Sequence, residues 1–287
     1  MGLVYIAPWL LGFLLLQLYP FVSSFIYSFT DYKFFNEPSF VGLKNYIRLF
    51  KLDPEFWGSL KVTLLYTVIT VPGKLAMALF IATLLNRNVK GIGAIRTIYY
   101  LPSLFGGSVA VAILWKILFM SDGAINNILS SFHLPTVQWL GNGKSAVVTI
   151  CMLEIWQFGS SMVMFLAALK QVPASLYEAA SLDGAGSVKK FFSITLPQIT
   201  PIIFFNLIMQ TITALQNFTS AFVVTGGGPN KATYVLGMKL YTDAFGYYKM
   251  GYACATSWVI FAMVMVVTLL LFRFSSGKIY YEDGGDF

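Results

Sequence analysis

The chain has 287 residues, of which 57% are hydrophobic and 11% charged, with a formal net charge of +7 and a mean hydropathy of +0.72. A soluble domain carries about 25% charged residues, so this composition excludes an ordinary soluble globular domain and predicts an integral membrane protein. The 19 Lys and Arg are scattered between apolar runs and form no block, which argues against a nucleic-acid surface and suits loops bordering anionic lipid.

A membrane span needs about 20 mostly apolar residues. Six runs meet that length: 3–28, 60–85, 97–120, 145–169, 201–224 and 250–274. The first is too long for a cleavable signal, and no basic segment precedes it. Pro20, Pro72–Gly73 and Pro102 interrupt the runs. Such breaks are tolerable where neighbouring helices or a water-filled path satisfy the freed backbone groups. The connection 29–59 is long and of mixed charge, and 121–144 and 225–249 are polar and rich in Gly and Asn. The short connection 86–96 carries Arg87, Lys90 and Arg96 and no acid, which assigns it to the cytoplasm. An even number of spans then puts both termini and the 170–200 connection on that side. No connection is long enough for a core of its own. The expectation is an all-α polytopic protein, a single transmembrane domain over 1–287, whose energy source is a partner or an ion gradient.

The 170–200 connection reads as helix, turn, helix. Leu176, Ala179, Ala180 and Leu182 alternate with Glu178, Ser181 and Asp183, as on a short amphipathic helix that Gly184 and Gly186 stop. A second short helix, 188–194, sets Lys189 and Lys190 against Phe191, Phe192 and Ile194. Pro197 and Pro201 fix the start of the fifth span. A module of this kind lies along a membrane face and offers a knob for another protein to grip.

Glu178, Ala179 and Ala180, then Gly184, then Ile194, Leu196 and Pro197, resemble the "EAA loop" of binding-protein-dependent ABC importer permeases. The likeness runs over roughly residues 4–275. FTDYKFF and FVGLKNYIRLF after the first span, WLGNGKSA before the fourth, and LAALKQVPASLYEAASLDGAG leading into the loop look like the carbohydrate-uptake subfamily. TGGGPNKATYVLGMKLYTDAF after the fifth span is similar to the maltose-type first permease. The resemblance implies a bacterial inner-membrane permease for a sugar or sugar derivative. Its implied partners are a second homologous permease, two ATPase subunits that bind the ATP and magnesium, and an extracytoplasmic sugar-binding protein. It also implies that Glu178, Ala179, Ala180, Asp183, Gly184 and Ala185 dock into the ATPase. Relatives usually carry a basic tail before the first span, so that tail is expected to be lost here or to lie upstream of Met1.

The remaining candidates concern the solute path. Asn206, Gln210, Thr213 and Asn217 follow at steps of four, three and four, which places them on one helix face, with Gln216 beside them. Polar side chains in a span face the bundle interior or a water-filled cavity. Their amides and hydroxyls either line a sugar path or bond helix to helix, at about 0.6 kcal/mol per contact. Trp156 and Gln157, ahead of Gly159, Ser160 and Ser161, offer an aromatic face beside polar groups, with core packing as the alternative for Trp156. Lys74 and Glu154 sit deep in spans two and four, where an unpaired charge costs about 2.5–3.5 kcal/mol. They are expected to pair, or one of them to face the cavity. Tyr99 and Tyr100 suit an interfacial belt, and Gly226–Pro229 reads as a turn, which in the family lies near the binding protein.

No catalytic or metal-binding set is expected. His133 is the single histidine, and Cys151 and Cys254 lie in apolar stretches as small core residues. Gly143-Lys144-Ser145 is not a phosphate-binding loop, because position 138, where that motif needs Gly, is Gln. A gradient-driven transporter would use intramembrane carboxylates in repeated halves, and a membrane enzyme clustered acids or histidines. Neither class requires the Glu178–Pro197 loop.

Overall fold

The computed structural model describes residues 2–34, 36–87 and 90–275. Met1, the middle of the 86–96 connection and the tail after 275 lie outside the described residues. The described chain is helical, with only two isolated antiparallel bridges, Thr30 with Phe40 and Lys33 with Asn36.

Three helices are long and apolar enough to cross a membrane: α1 (Tyr5–Ser28), α2 (Pro54–Leu85) and α12 (Met250–Ser275). Three further crossings are bent pairs. α3 (Ile92–Leu104) and α4 (Val109–Leu118) meet at 101°, and α6 (Gly143–Trp156) and α7 (Gly159–Gln171) at 44°. The segment α9 (Ser187–Gln198) meets α10 (Thr200–Leu215) at 67°. Counted as one crossing each, the bent pairs and the straight helices make six. Shorter helices lie between them: α5 (Ala124–Ser131), α8 (Ala174–Leu182) and α11 (Leu236–Tyr241).

Four expected spans change character: 145–169 bends by 44° between α6 and α7, and 201–224 is interrupted after Leu215, with its next helical element at Ala221–Thr225. The run 97–120 is not one helix but two nearly perpendicular ones. Pro102 and a turn at Phe105–Gly107, with Gly107 at φ +71°, close α3 before α4 begins. The run 60–85 begins earlier, at Pro54, because the Asp53 carboxylate accepts the backbone N–H groups of Glu55 and Phe56 at 2.9 and 3.3 Å. An aspartate in that role satisfies amides that would otherwise be orphaned and favours the positive end of the helix.

α2 is the centre of the bundle and packs against α6, α7, α10 and α11. Its buried face carries a row that hydropathy alone hides: Ser59, Thr63, Thr67, Thr70 and Lys74. Each of the four hydroxyls donates to the carbonyl four residues back, so none is left unbonded in the apolar interior. Around this row Tyr66, Ala78 and Ala82 of α2 pack with Ile150, Met162 and Phe165. α1 is peripheral. Its apolar stretch is 0% buried, and it leans on α12 through Phe21 and Phe25, whose rings lie 4.7 and 4.6 Å from that of Trp258.

A charged cluster fastens the N-terminal end of α2 to the segments around α11. Lys239, 2% exposed, donates to Asp53 at 2.6 Å and to Asp243 at 2.9 Å, and the Tyr252 hydroxyl donates to Asp53. Burial pushes the Asp53 carboxyl up, but the Lys239 and Tyr252 hydrogen bonds outweigh it and hold the group below the ordinary carboxylate value. Burial raises Asp243.

Candidate substrate cavity and coupling loop

Three helix breaks converge: the bends within α3–α4 and α6–α7, and the C-terminal end of α10 at Leu215, away from its bend against α9. Together they wall a cavity of about 380 Å³, at the lower end of the range for small-ligand sites. Ser103, Gly106, Gly107 and Ser108 come from the α3–α4 break, Gln157 and Ser160 from the α6–α7 break, and Gln216 to Ser220 from the stretch after α10. Gln210 and Thr213 reach it from α10, and Lys74 from α2. The breaks explain the polarity of the wall. A helix that stops inside an apolar slab exposes N–H and C=O groups that need partners; Ser103 Oγ donates to the Tyr100 carbonyl at 2.7 Å, while the α4 and α7 starts have no side-chain cap.

Lys74 and Glu154 pair as expected, Nζ to Oε1 at 2.7 Å, with side chains 8% and 20% exposed. Both also line the cavity. Tyr66 stands at 3.5 Å from the other Glu154 oxygen. The pair links α2 to α6 one turn before the α6 break.

The expected polar stripe divides. Gln210, Thr213 and Asn217 line the cavity, while Asn206 does not: it is 2% exposed and donates to the Ile202 carbonyl at 2.9 Å. The four do not share one helix, because α10 ends at Leu215 and Asn217 lies in the break. Gln210 also reaches Ser161 at 3.3 Å, tying α10 to α7. Gln157 lines the cavity, but Trp156 turns away from it and packs on Trp115, with ring centres 5.4 Å apart. The single-face reading fails because a break resets the helical phase. Ser160, named beside Trp156 and Gln157, lines the cavity, whereas Ser103, Ser108, Thr219 and Ser220 were not singled out from sequence. The signal for them was there in the Gly-Gly and Asn-Phe-Thr-Ser steps inside otherwise apolar runs. The Tyr99 ring lies 6.1 Å from that of Phe158 and is 40% exposed, while Tyr100 is partly buried against the core. Gly143 opens α6, where Asn142 accepts the Lys144 N–H at 3.0 Å as an ordinary helix cap.

The 170–200 connection forms an exposed hairpin of α8 and α9. The turn at Asp183–Gly186 is closed by Ala185 N–H to the Ala180 carbonyl at 2.9 Å and Gly184 N–H to Ser181 at 3.1 Å. Gly184 has φ +71°, a conformation that costs a side-chain-bearing residue about 1–2 kcal/mol. Gly186 does not stop α8, as the sequence suggested. It adopts extended backbone and starts the second helix, which runs to Gln198 rather than to 194. Tyr177 hydroxyl to Thr195 at 2.8 Å and Lys190 to Ser181 at 2.6 Å clamp the two arms. Glu178, Ala179, Asp183 and Gly184 are exposed, and Ala180 and Ala185 partly so. The tip is apolar: Leu182 is 91% exposed and Val188 72%.

Residues 64–276 match the family described as binding-protein-dependent transport system inner membrane component. A probable ABC transporter permease protein of Bacillus subtilis, YesP, is 47% identical over 98% of this chain and 92% of its own length. The sulfoquinovosyl glycerol permease SmoG of Agrobacterium fabrum is 38% identical over 82% and 76%. The trehalose/maltose permease MalF of Thermococcus litoralis is 34% identical over 97% and 94%. A chain of the bacterial alginate ABC transporter, solved with its pentasaccharide-bound periplasmic protein, superposes with TM-score 0.82 over 95% of this chain and 92% of that one, at 23% identity. With three straight apolar crossings, three bent pairs and a polar cavity walled by two of those bends and the end of α10, the chain belongs to the inner-membrane permease family of binding-protein-dependent ABC importers.

Proposed function

We propose that this chain forms half of the translocation path of an ATP-driven importer for a sugar or sugar derivative, beside a second homologous permease. The observation that carries the reading is the polar cavity at the three helix breaks, inside a bundle otherwise apolar enough for a bilayer. Amide, hydroxyl and charged groups there match the hydroxyls of a saccharide, and the curated relatives that name a solute name saccharides or a glycerol phosphate. Gln157, Gln210, Thr213 and Asn217 are the path residues of this subunit. Asn206 and Trp156 support the helices behind them.

The α8–α9 hairpin is the contact with the ATPase. Its exposed apolar tip, Leu182 and Val188, together with Glu178, Asp183 and Gly184, enters a cleft of that subunit. There ATP and magnesium are bound and hydrolysed. Two ATPases and an extracytoplasmic sugar-binding protein complete the complex. The hairpin and both termini face the cytoplasm. The binding protein delivers solute to the cavity from the opposite side, and closure of the ATPase pair moves the hairpin and the bent crossings.

The test is co-purification from native membranes through a tag on this chain, followed by ATPase assay in nanodiscs. A second permease and an ATPase in the eluate, with hydrolysis stimulated by sugar-loaded binding protein, support the reading. A chain that purifies alone and supports no hydrolysis refutes it.

A further inference from the structure

We infer that the cavity reads an anionic group on the imported saccharide, a carboxylate, sulfonate or phosphate, in the space that Lys74 lines together with Ser108 and Ser160 at the starts of α4 and α7. This deepens the importer reading and rests on it.

Two helices of ten and thirteen residues start at the cavity wall, α4 after Ser108 and α7 after Phe158. Neither start has a side-chain cap. Their first-turn amides are therefore open donors, and each helix end carries roughly half a positive charge. Half-helix N-termini aimed at a mid-membrane site are a known means of holding an anion. The C-terminal ends at the same breaks do not cancel this. The carbonyls of Pro102 and Ser103 accept from Phe105 and Gly106 at 3.3 and 3.2 Å, and that of Glu154 accepts from Gln157 at 3.2 Å. The negative ends are thus already bonded within the turns, whereas the positive ends are not.

A second observation points to a ligand independently. Gln157 is 6% exposed and lines the cavity, yet its side-chain amide makes no hydrogen bond among the described residues. Asn217, also in the wall, uses its oxygen to accept from Ser220 at 2.8 Å, while its buried Nδ2 has no partner there. Unpartnered amides are costly where water is scarce. A ligand oxygen bearing negative charge would accept from the Gln157 amide, which lines the cavity, whereas Asn217 Nδ2 is sealed from it.

Among the described residues lining the cavity the one opposing charge is Glu154, and Lys74 already matches it at 2.7 Å. An arriving anion shares Lys74 with Glu154 and adds the open helix ends. A neutral saccharide would leave those donors with weaker acceptors.

The test uses the complete transporter in proteoliposomes. The probes are uronate disaccharides and their uncharged methyl esters, selected because the binding protein itself retains them. Wild-type is expected to take up the uronates in preference to the esters. The double variant K74M/E154Q removes both charges and leaves no unpaired one, so folding is preserved. It should lower the uronate-to-ester uptake ratio about tenfold, the scale of a lost charge-assisted hydrogen bond. E154Q alone should raise that ratio. Uptake of esters or other neutral sugars with uronates excluded, or a ratio unmoved in both variants, overturns the anion site and leaves the importer reading standing. A fully assembled complex that takes up no saccharide overturns both.

Discussion

Replacing Gly159 by Ala tests whether the tertiary fold, rather than composition, sets the cavity. Gly159 starts α7 and lies against α3. A Cβ there would stand 2.8 Å from three atoms at once: Ser103 Oγ, Tyr100 Cα and Tyr99 O. Ordinary contact begins at 3.4 Å, so the two helices have to separate by 3.4 − 2.8 = 0.6 Å. Two of the three obstacles are backbone and cannot rotate away. Overpacking of this kind costs about 1–3 kcal/mol. Ser103 and Ser160 both line the cavity, so the separation also widens its wall. The control is Gly93→Ala on α3, where a Cβ meets nothing within 4 Å. That change should gain about 0.5–1 kcal/mol, because Ala is the better helix former. The assay is thermal unfolding of the complex in nanodiscs, with transport measured in parallel. If G159A melts with the wild-type, or if G93A loses as much as G159A, the packing argument is wrong.

Three further outcomes are expected. Neutralising either Lys74 or Glu154 alone strands a largely buried charge and should cost about 3 kcal/mol, the low end for broken buried pairs because Glu154 is 20% exposed toward the cavity; the swap K74E/E154K should recover much of it, and a double-mutant cycle with no coupling would sink the pairing. Gly184→Val meets no neighbour within 4 Å but strains φ +71°; it should leave membrane insertion intact and lower binding-protein-stimulated ATPase activity, and unchanged stimulation would refute the role of the turn. Asp53 is held below the ordinary carboxylate value, so its contribution is present at neutral pH and is lost as the pH falls through the lowered value. D53N should therefore cost about 1.5 kcal/mol at neutral pH, and the gap to wild-type in thermal melts should close in acid; a gap that widens in acid would reverse the assignment.

Much of this protein is local in sequence. Apolar runs of bilayer length, the amphipathic 176–182 stretch and Gly184 act within a few residues, so hydropathy and turn chemistry reveal them without any partner. The pairing of Lys74 with Glu154 was also legible, because a lone charge in an apolar run demands an opposite one and only one such partner lay at comparable depth. The cavity was legible only in part: Gln157, Gln210, Thr213 and Asn217 were read as path residues and line it, but how its walls come together was not. It depends on where helices stop, and a stop is decided by packing as much as by Pro or Gly. Asn206 and Asn217 look equivalent by spacing, yet Asn206 is buried on α10 and bonds to its own helix, whereas Asn217 lies past Leu215, where α10 ends, and lines the cavity. The polar row of α2 from Ser59 to Lys74 was likewise silent, because Ser and Thr are near neutral in hydropathy, and their bonds back to their own helix show only in the structure. Only the tertiary structure brings three interruptions, 50 or so residues apart along the chain, to the wall of one cavity, and it does so because orphaned backbone groups in an apolar interior are satisfied where they can gather around a shared polar space.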